Sequence, residues 1–372
     1  MRVNSEIFEE PRKLESRPSL GTRGPAQKTE IIIVPKQTDD LLAQNSDVPQ
    51  SDRKTDGVEL KRWGKAELIR CFRFVMMISV GLAVVYTAII SFQQLREEGI
   101  DFSAVKYGWW LGAVGVYIGT MFLSCCFWFR VLIALGQKPK FGAALFAFFA
   151  SQLGKYVPGK AMVVVIRTDM IRGDEVSTAP AAASVFVETL TWIFVGSAIG
   201  SLLLVMQFEG QLLLKSIGVA LTIIAGVLTW PPIFRRIALK LGVVKGRKAK
   251  KLLNGLNLQT MSFGWLLMTM GWCLNGLSLW MVLKGLPDTT VAVSDFSLAM
   301  VCVSLATVAG FVSLLPGGLG VRELVMIPLL GSQFGTVTAI VAAIVIRVIW
   351  LTAELATSGI IYGCRRAIGK VP

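Results

Sequence analysis

The sequence predicts an all-α, polytopic integral membrane protein with six full spans and two broken or re-entrant helical hairpins. Of its 372 residues, 53% are hydrophobic, and the mean hydropathy is +0.62. The apolar residues form blocks of about 20, which is the helix length that crosses a hydrocarbon core. Two further blocks are interrupted by Pro-Gly breaks, which predict helices that stop and restart at membrane depth.

The formal net charge of +14 does not indicate a nucleic acid partner. The lysines and arginines cluster beside the predicted span ends, where membrane topology and anionic headgroups account for them. The chain contains no histidine, which excludes histidine-based catalysis, imidazole metal ligation and a histidine pH switch. The six cysteines lack metal-binding spacing. We therefore expect neither a metal nor another cofactor.

The N-terminal 60 residues predict a disordered cytoplasmic tail, followed by a membrane domain at 61–372. Residues 1–60 are rich in Ser, Pro, Gln, Asp and Lys, with too little apolar surface to form a core. The tail also lacks the apolar segment of a cleavable signal peptide, so none is expected.

The basic residues predict the topology of the membrane domain. The most basic loop, at 235–251, is expected in the cytoplasm. Full spans are predicted at 71–92, 107–133, 178–206, 212–230, 261–283 and 336–362. Counting crossings from the basic loop puts both ends of the hairpin at 141–172 inside and both ends of the hairpin at 296–331 outside. Both chain termini are then cytoplasmic, and we expect a multi-pass protein of the cell membrane.

The two hairpins predict an internal repeat of opposite topology, with repeats at 107–206 and 261–362. Pro158 precedes Glu188 by 30 residues, and Pro316 precedes Arg347 by 31. Many secondary transporters have inverted repeats, with the binding site at the midplane between broken helices. A chance match between Pro-Gly pairs is the alternative.

Charged residues deep in the predicted spans are the first candidates for binding. Glu188 and Arg347 lie near the middle of their spans, where an isolated charge costs about 2.5 kcal/mol or more. Their equivalent positions suggest that they approach each other or a shared substrate; the alternative is a purely structural ion pair. Glu354 follows Arg347 by seven residues, so both lie on one helical face and favour a polar cavity.

The charges beside the two breaks are the second set of candidates. Arginine and lysine bind phosphate, and glycine amides at a helix start add donors. For Lys155, Lys160 and Arg167, the alternative to lipid binding is the ordinary excess of positive charge on the cytoplasmic side. For Arg322, the alternative is that Glu323 neutralises it. The predicted substrate-binding residues are Lys155, Lys160, Arg167, Glu188, Arg322, Glu323, Arg347 and Glu354. The predicted helix-break residues are Pro158, Gly159, Pro316, Gly317, Gly318 and Gly320.

Two motifs carry a resemblance to a known family. The segments KYVPGK at 155–160 and LPGGLGVRE at 315–323, with Glu188 between them, resemble the flippase-like transmembrane domain of the lysylphosphatidylglycerol synthases. The resemblance covers about 70–363. Members of this family more commonly have arginine after the glutamate, whereas this chain has Glu188-Thr189. In the bacterial members that are fused to a synthetase, this domain is implied to move aminoacylated phosphatidylglycerol across the membrane. Archaeal relatives are linked to the handling of polyprenyl-linked glycans. No synthetase domain follows in this chain, so lysyl transfer is not expected.

The sequence therefore predicts a protein that binds an anionic, aminoacylated or glycosylated lipid and translocates it across the membrane, with no catalytic residue. A membrane enzyme acting on polyprenyl phosphate, a scaffold for envelope-lipid synthesis and an ion-coupled transporter of soluble solutes are the alternatives. The expected partners are membrane lipids and, as a second candidate, a lipid-modifying synthase. The sequence assigns no oligomeric state.

Overall fold

The computed structural model is nearly all helical, as the sequence predicts. It describes residues 102–156, 161–173, 175–207, 209–210, 212–240, 253–287, 289–313 and 315–367, with isolated positions between 82 and 93. Within these ranges the only β-type pairing is an isolated bridge between Gly173 and Val176. The predicted tail at 1–60 and nearly all of the predicted span at 71–92 lie outside the described residues.

The described part of the chain contains ten α-helices and three 3-10 turns, one at Phe102–Ala104 and one at each hairpin tip. In order, the helices are α1 (Tyr107–Ala134), α2 (Phe141–Gln152), α3 (Ala161–Ile171), α4 (Thr178–Gln207), α5 (Leu212–Thr229), α6 (Pro231–Lys240), α7 (Leu258–Gly285), α8 (Asp295–Val312), α9 (Val321–Phe334) and α10 (Thr336–Ala367). The first tip turn, Leu153–Tyr156, follows α2, and the second, Pro316–Gly318, precedes α9.

Six of these helices are long and apolar enough to cross a membrane: α1, α4, α5, α7, α8 and α10. Five of them coincide with predicted full spans. The sixth, α8, is the first limb of the second predicted hairpin and has 18 residues. By contrast, α2 and α3 have 12 and 11 residues, too few to span the hydrocarbon core. Neither α2 nor α3 is therefore long enough to cross the membrane by itself, and the re-entrant form of the first hairpin stays a prediction.

The basic segment after α5 begins with a helix, although 235–251 was predicted to be a loop. Pro231–Lys240 forms α6, which carries Arg235, Arg236 and Lys240. Proline is tolerated in the first turn of a helix because its missing N–H has no partner there. Arg235 Nη2 donates to the carbonyl of Leu256 at 2.7 Å and ties α6 to the turn before α7.

The centre of the fold is the crossing of α1 and α7, the first helix of each predicted repeat. Small residues allow the two backbones to approach closely, as is typical between membrane helices. A Cβ added to Gly264 would lie 2.1 Å from the Phe127 ring, and one added to Gly112 would lie 2.2 Å from Met281. This close contact joins the two predicted repeats at their axis.

Several other helix contacts occur in matched pairs. Helix α4 packs against α8, and α10 packs against α2. The second limb of each hairpin packs against the helix that follows it, so α3 contacts α4 and α9 contacts α10. If each helix is replaced by its counterpart in the other predicted repeat, one contact of each pair becomes the other. This correspondence is expected of a repeat. The opposite orientation of the two units in the membrane stays a prediction.

The two hairpin tips meet inside the molecule. Gly317 and Gly318 have φ of 59° and 72°, and Gly320 has φ of 78°, which side chains with a Cβ rarely adopt. A Cβ on Gly317 would lie 3.2 Å from the ring of Tyr156, which belongs to the first tip turn. The predicted break at 316–320 is thus a turn that faces the other hairpin. The predicted break residues Pro158 and Gly159, and Lys160 after them, lie outside the described residues.

Replacement of Gly255 by alanine tests the packing at the end of α1. A Cβ at this position would lie 1.8 Å from the Ala134 carbonyl oxygen, so the backbone must shift. We expect Gly255→Ala to destabilise the protein by about 1–3 kcal/mol in detergent, measured by thermal unfolding. Gly115→Ala is the matched control, since nothing lies within 4 Å of its added Cβ and alanine favours a helix. Equal midpoints for both variants would contradict the close approach.

Candidate functional site

A cavity of about 520 Å³ lies between the two predicted repeats. Its walls come from α1 and both hairpins, together with α4, α7 and α10. Valines and aromatic rings form most of the surface, including Val163, Phe148 and Phe311. Into this apolar space project Lys155, Arg167, Glu188 and Arg322. The cavity therefore combines apolar walls with concentrated charge.

The first buried ion pair lies within the first repeat. Arg167 of α3 donates from Nη1 to Glu188 Oε2 of α4 at 2.9 Å, and its Nε donates to Ser151 Oγ at 2.9 Å. The guanidinium carbon lies 4.2 Å from the centre of the Phe148 ring. Arg167 is only 1% exposed, so these contacts replace its hydration. The pair fixes the second limb of the first hairpin to α4.

The second ion pair joins the two repeats. Lys155, in the first tip turn, pairs with Glu354 of α10, which has no exposed surface. The Tyr117 hydroxyl of α1 donates to the same carboxylate oxygen, and Lys155 Nζ lies 3.3 Å from that hydroxyl. One carboxylate thus connects the first hairpin, α1 and α10.

The third ion pair lies within the second repeat. Glu323 of α9 pairs with Arg347 of α10. The glutamate therefore does not neutralise Arg322, the residue that precedes it in the sequence. The arrangement corresponds to the Arg167–Glu188 pair, since each joins a second hairpin limb to the helix that follows it. The signs are reversed: the first repeat places the cation on the hairpin, and the second places it on the long helix.

Arg322 lines the cavity without an ion-pair partner among the described residues. Its guanidinium carbon lies 5.5 Å from the Trp350 ring centre, and its Nε is buried with no hydrogen-bond partner. Trp350 in turn stacks on Tyr117, with ring centres 4.7 Å apart and planes at 8°. The aromatic stack holds the arginine side chain at the cavity wall while leaving its charge uncompensated.

The structure brings together most of the predicted binding residues. Two of them, Glu188 and Arg347, have other partners than the sequence suggested. Glu188 and Arg347, expected to approach each other or a shared substrate, each pair with a residue of their own repeat. Lys155, Arg167, Glu188 and Arg322 line the cavity. Glu323, Arg347 and Glu354 do not line it, although Glu354 bonds to the cavity residue Lys155.

Most of the cavity wall was not predicted from the sequence, and three of these residues bear on its chemistry: Tyr117, Asn275 and Trp350. Tyr117 positions Glu354, and Trp350 supports Arg322. Asn275 is 2% exposed, and its Oδ1 accepts no hydrogen bond within the described part of the chain. An amide in the middle of an apolar span was the available signal for Asn275, because an unpaired amide is costly in a membrane interior.

Residues 76–354 match the family described as the lysylphosphatidylglycerol synthase TM region. The matched segment includes all three buried ion pairs and ends at Glu354, the residue that joins the repeats. No curated protein gives a significant match. In the described ranges, no group of three or more His, Cys, Asp or Glu side chains is placed to hold a metal ion.

Two carboxylates, one paired with an arginine of α3 and one with the arginine just after it, provide a test of the buried network. Glu188→Gln leaves the Arg167 charge buried without a counter-ion, which we expect to destabilise the protein by about 3–5 kcal/mol. Asp169→Asn removes the partner of Arg172 in an (i, i+3) pair at 3.0 Å that is much more exposed. That control should change stability by less than about 1 kcal/mol. Unfolding in detergent measures both, and equal losses would show that Glu188 does not neutralise a buried charge.

Proposed function

Because the chain belongs to the family of the lysylphosphatidylglycerol synthase transmembrane region, we propose that it binds a membrane lipid in the central cavity and translocates it. Membership of this family implies a role connected with membrane lipids. The finer assignment, movement of an anionic, aminoacylated or glycosylated lipid across the cell membrane, is the proposal.

The cavity between the repeats is the observation that carries this proposal. A lipid needs a polar environment for its headgroup and an apolar one for its acyl chains. The cavity supplies cations at Lys155 and Arg322, and an apolar surface at residues such as Val163, Val164 and Phe186. Ligand sites of this mixed kind commonly lie between the repeats of membrane transporters.

The two hairpins supply the moving parts in this proposal. In an inverted-repeat transporter, one repeat rocks against the other around a central site. Here the contacts between the hairpin tips and the Lys155–Glu354 pair connect the units across the cavity. We propose that these contacts separate when the headgroup passes. Both termini remain on the cytoplasmic side in this scheme.

The proposal includes no chemical step, which separates it from the alternatives. A transferase acting on a polyprenyl phosphate would give a covalently altered lipid. A scaffold for a lipid-modifying synthase would co-purify with that enzyme and leave the distribution of lipid between leaflets unchanged. Translocation instead changes the leaflet of an unmodified lipid.

Filling the cavity with a tryptophan tests the proposed path. Val164 lines the cavity, so Val164→Trp should reduce lipid transfer to the protein-free rate. Proteoliposomes with fluorescent anionic, aminoacylated or glycosylated lipids and a membrane-impermeant quencher measure how much label each leaflet exposes. Val219→Trp is the matched control, because Val219 is an exposed residue of α5 away from the cavity.

The control and wild type should transfer at the same rate, and both variants should remain monodisperse in detergent. No protein-dependent transfer of any lipid in the panel would overturn the proposed function. Transfer by Val164→Trp at the wild-type rate would show that lipid does not pass through this cavity.

A further inference from the structure

One face of helix α6 is attached to the rest of the protein. Pro231 is buried, and Phe234, one turn later, packs against the buried cluster that contains Leu256. Arg235 donates from Nε and Nη2 to the Leu256 carbonyl, at 3.1 and 2.7 Å. Phe234 and Arg235 lie on the same side of the helix as Pro231, because they follow it by three and four residues. These contacts fix how α6 is rotated about its axis.

A second face of α6, turned away from these contacts, is exposed and positively charged. Arg236, Leu239 and Lys240 are all exposed, and they recur at the three- and four-residue spacing of one helical face. Among the described residues, neither Arg236 nor Lys240 has an ion-pair partner. The helix itself contains no acidic residue. This face therefore presents two uncompensated cations beside an apolar side chain.

The sequence around this face is basic throughout. From 231 to 256 the chain has eight lysines and arginines and no aspartate or glutamate. Five of the eight follow α6, at 245–251. A segment of this composition is attracted to an anionic surface, and each basic residue close to such a surface strengthens binding about fivefold.

The position of α6 favours the membrane as the anionic surface. Helix α5 is long and apolar enough to span the membrane, and only Trp230 separates its end from the start of α6. Trp230 is 47% exposed, and exposed tryptophan is typical of the membrane–water interface. Leu239, on the charged face, is 40% exposed. Apolar side chains beside lysine and arginine are typical of helices that lie in this interface, whereas a soluble acidic partner would not require them.

We propose that α6 is an interfacial helix whose face of Arg236, Leu239 and Lys240 binds the anionic phospholipid headgroups of the leaflet at which α5 ends. The two cations bind phosphate groups, and Leu239 inserts among the apolar parts of the lipids. Because α6 is bonded to the turn before α7, this attachment anchors the connection between the two predicted repeats. The proposal goes beyond the proposed function, since it requires neither the central cavity nor transport.

Hydrogen exchange in nanodiscs tests this surface on purified full-length protein. Binding to headgroups holds α6 closed, so its backbone amides should exchange at least about tenfold more slowly when phosphatidylcholine nanodiscs contain about 30% phosphatidylglycerol. Salt at about 0.5 M should remove most of this slowing, because exposed charges are screened. Arg236→Gln combined with Lys240→Gln should reduce the slowing to less than about threefold.

Lys106→Gln combined with Arg130→Gln is the matched control. It removes the same two charges from exposed positions at the start and near the end of α1, and it should keep the wild-type slowing. The proposal is overturned if wild-type α6 exchanges equally fast in both lipid mixtures, or if the α6 double variant keeps the full effect. An equal loss in the control would also overturn it, because the effect would then be general charge attraction rather than binding at α6.

Two further measurements separate this surface from other partners and from the cavity. Soluble polyglutamate added to phosphatidylcholine nanodiscs should slow exchange in α6 much less than phosphatidylglycerol does; equal slowing would overturn the membrane as the partner. Val164→Trp, which fills the cavity, should leave the effect of phosphatidylglycerol on α6 unchanged, and its loss would overturn a site at α6. The expected exchange without lipid transfer in proteoliposomes would support the α6 surface and overturn the proposed function instead.

Discussion

The ion pair between Lys155 and Glu354 is the interaction on which the central architecture depends. Glu354 has no exposed surface and lies in a long apolar helix, where an unpaired carboxylate would be strongly destabilising. Glu354 bonds to Lys155 of the first hairpin and to Tyr117 of α1. These residues are 199 and 237 positions away from it in the sequence. Both bonds are made to Oε1, and they require that the first hairpin, α1 and α10 converge. That convergence also produces the wall of the cavity.

The other two buried pairs have a different mechanical role. Arg167–Glu188 and Glu323–Arg347 each bind a hairpin to the next helix of the same repeat. These two pairs are therefore each neutral within one repeat. Lys155–Glu354 is the one buried ion pair that joins the repeats in the described part of the chain. If the repeats move as the proposed function requires, that pair is the one that must exchange partners.

Hydropathy predicted much of the fold, because spans depend on local composition. Five predicted spans coincide with observed helices, and the Pro-Gly-Gly break is the turn at the second hairpin tip. The partners of the charges could not be predicted, because they depend on which helix faces meet. Similar offsets from the two breaks, 30 and 31 residues, suggested that Glu188 approaches Arg347, whereas the hairpin limbs supply the partners, Arg167 and Glu323. The role of Asn275 also depends on tertiary packing, which leaves its oxygen without a donor.

The residue after Glu188 shows how one substitution can set the charge of the cavity. Thr189 lines the cavity, and this position follows the glutamate where the resemblance described above more commonly has arginine. An arginine here would add a second uncompensated cation beside Arg322, because the three carboxylates already have partners. Threonine adds no charge, so Arg322 stays the one cation without an ion-pair partner among the described residues of the cavity. The Thr189 side chain also hydrogen-bonds to Glu188, so this position contacts one of the buried ion pairs as well as the cavity wall.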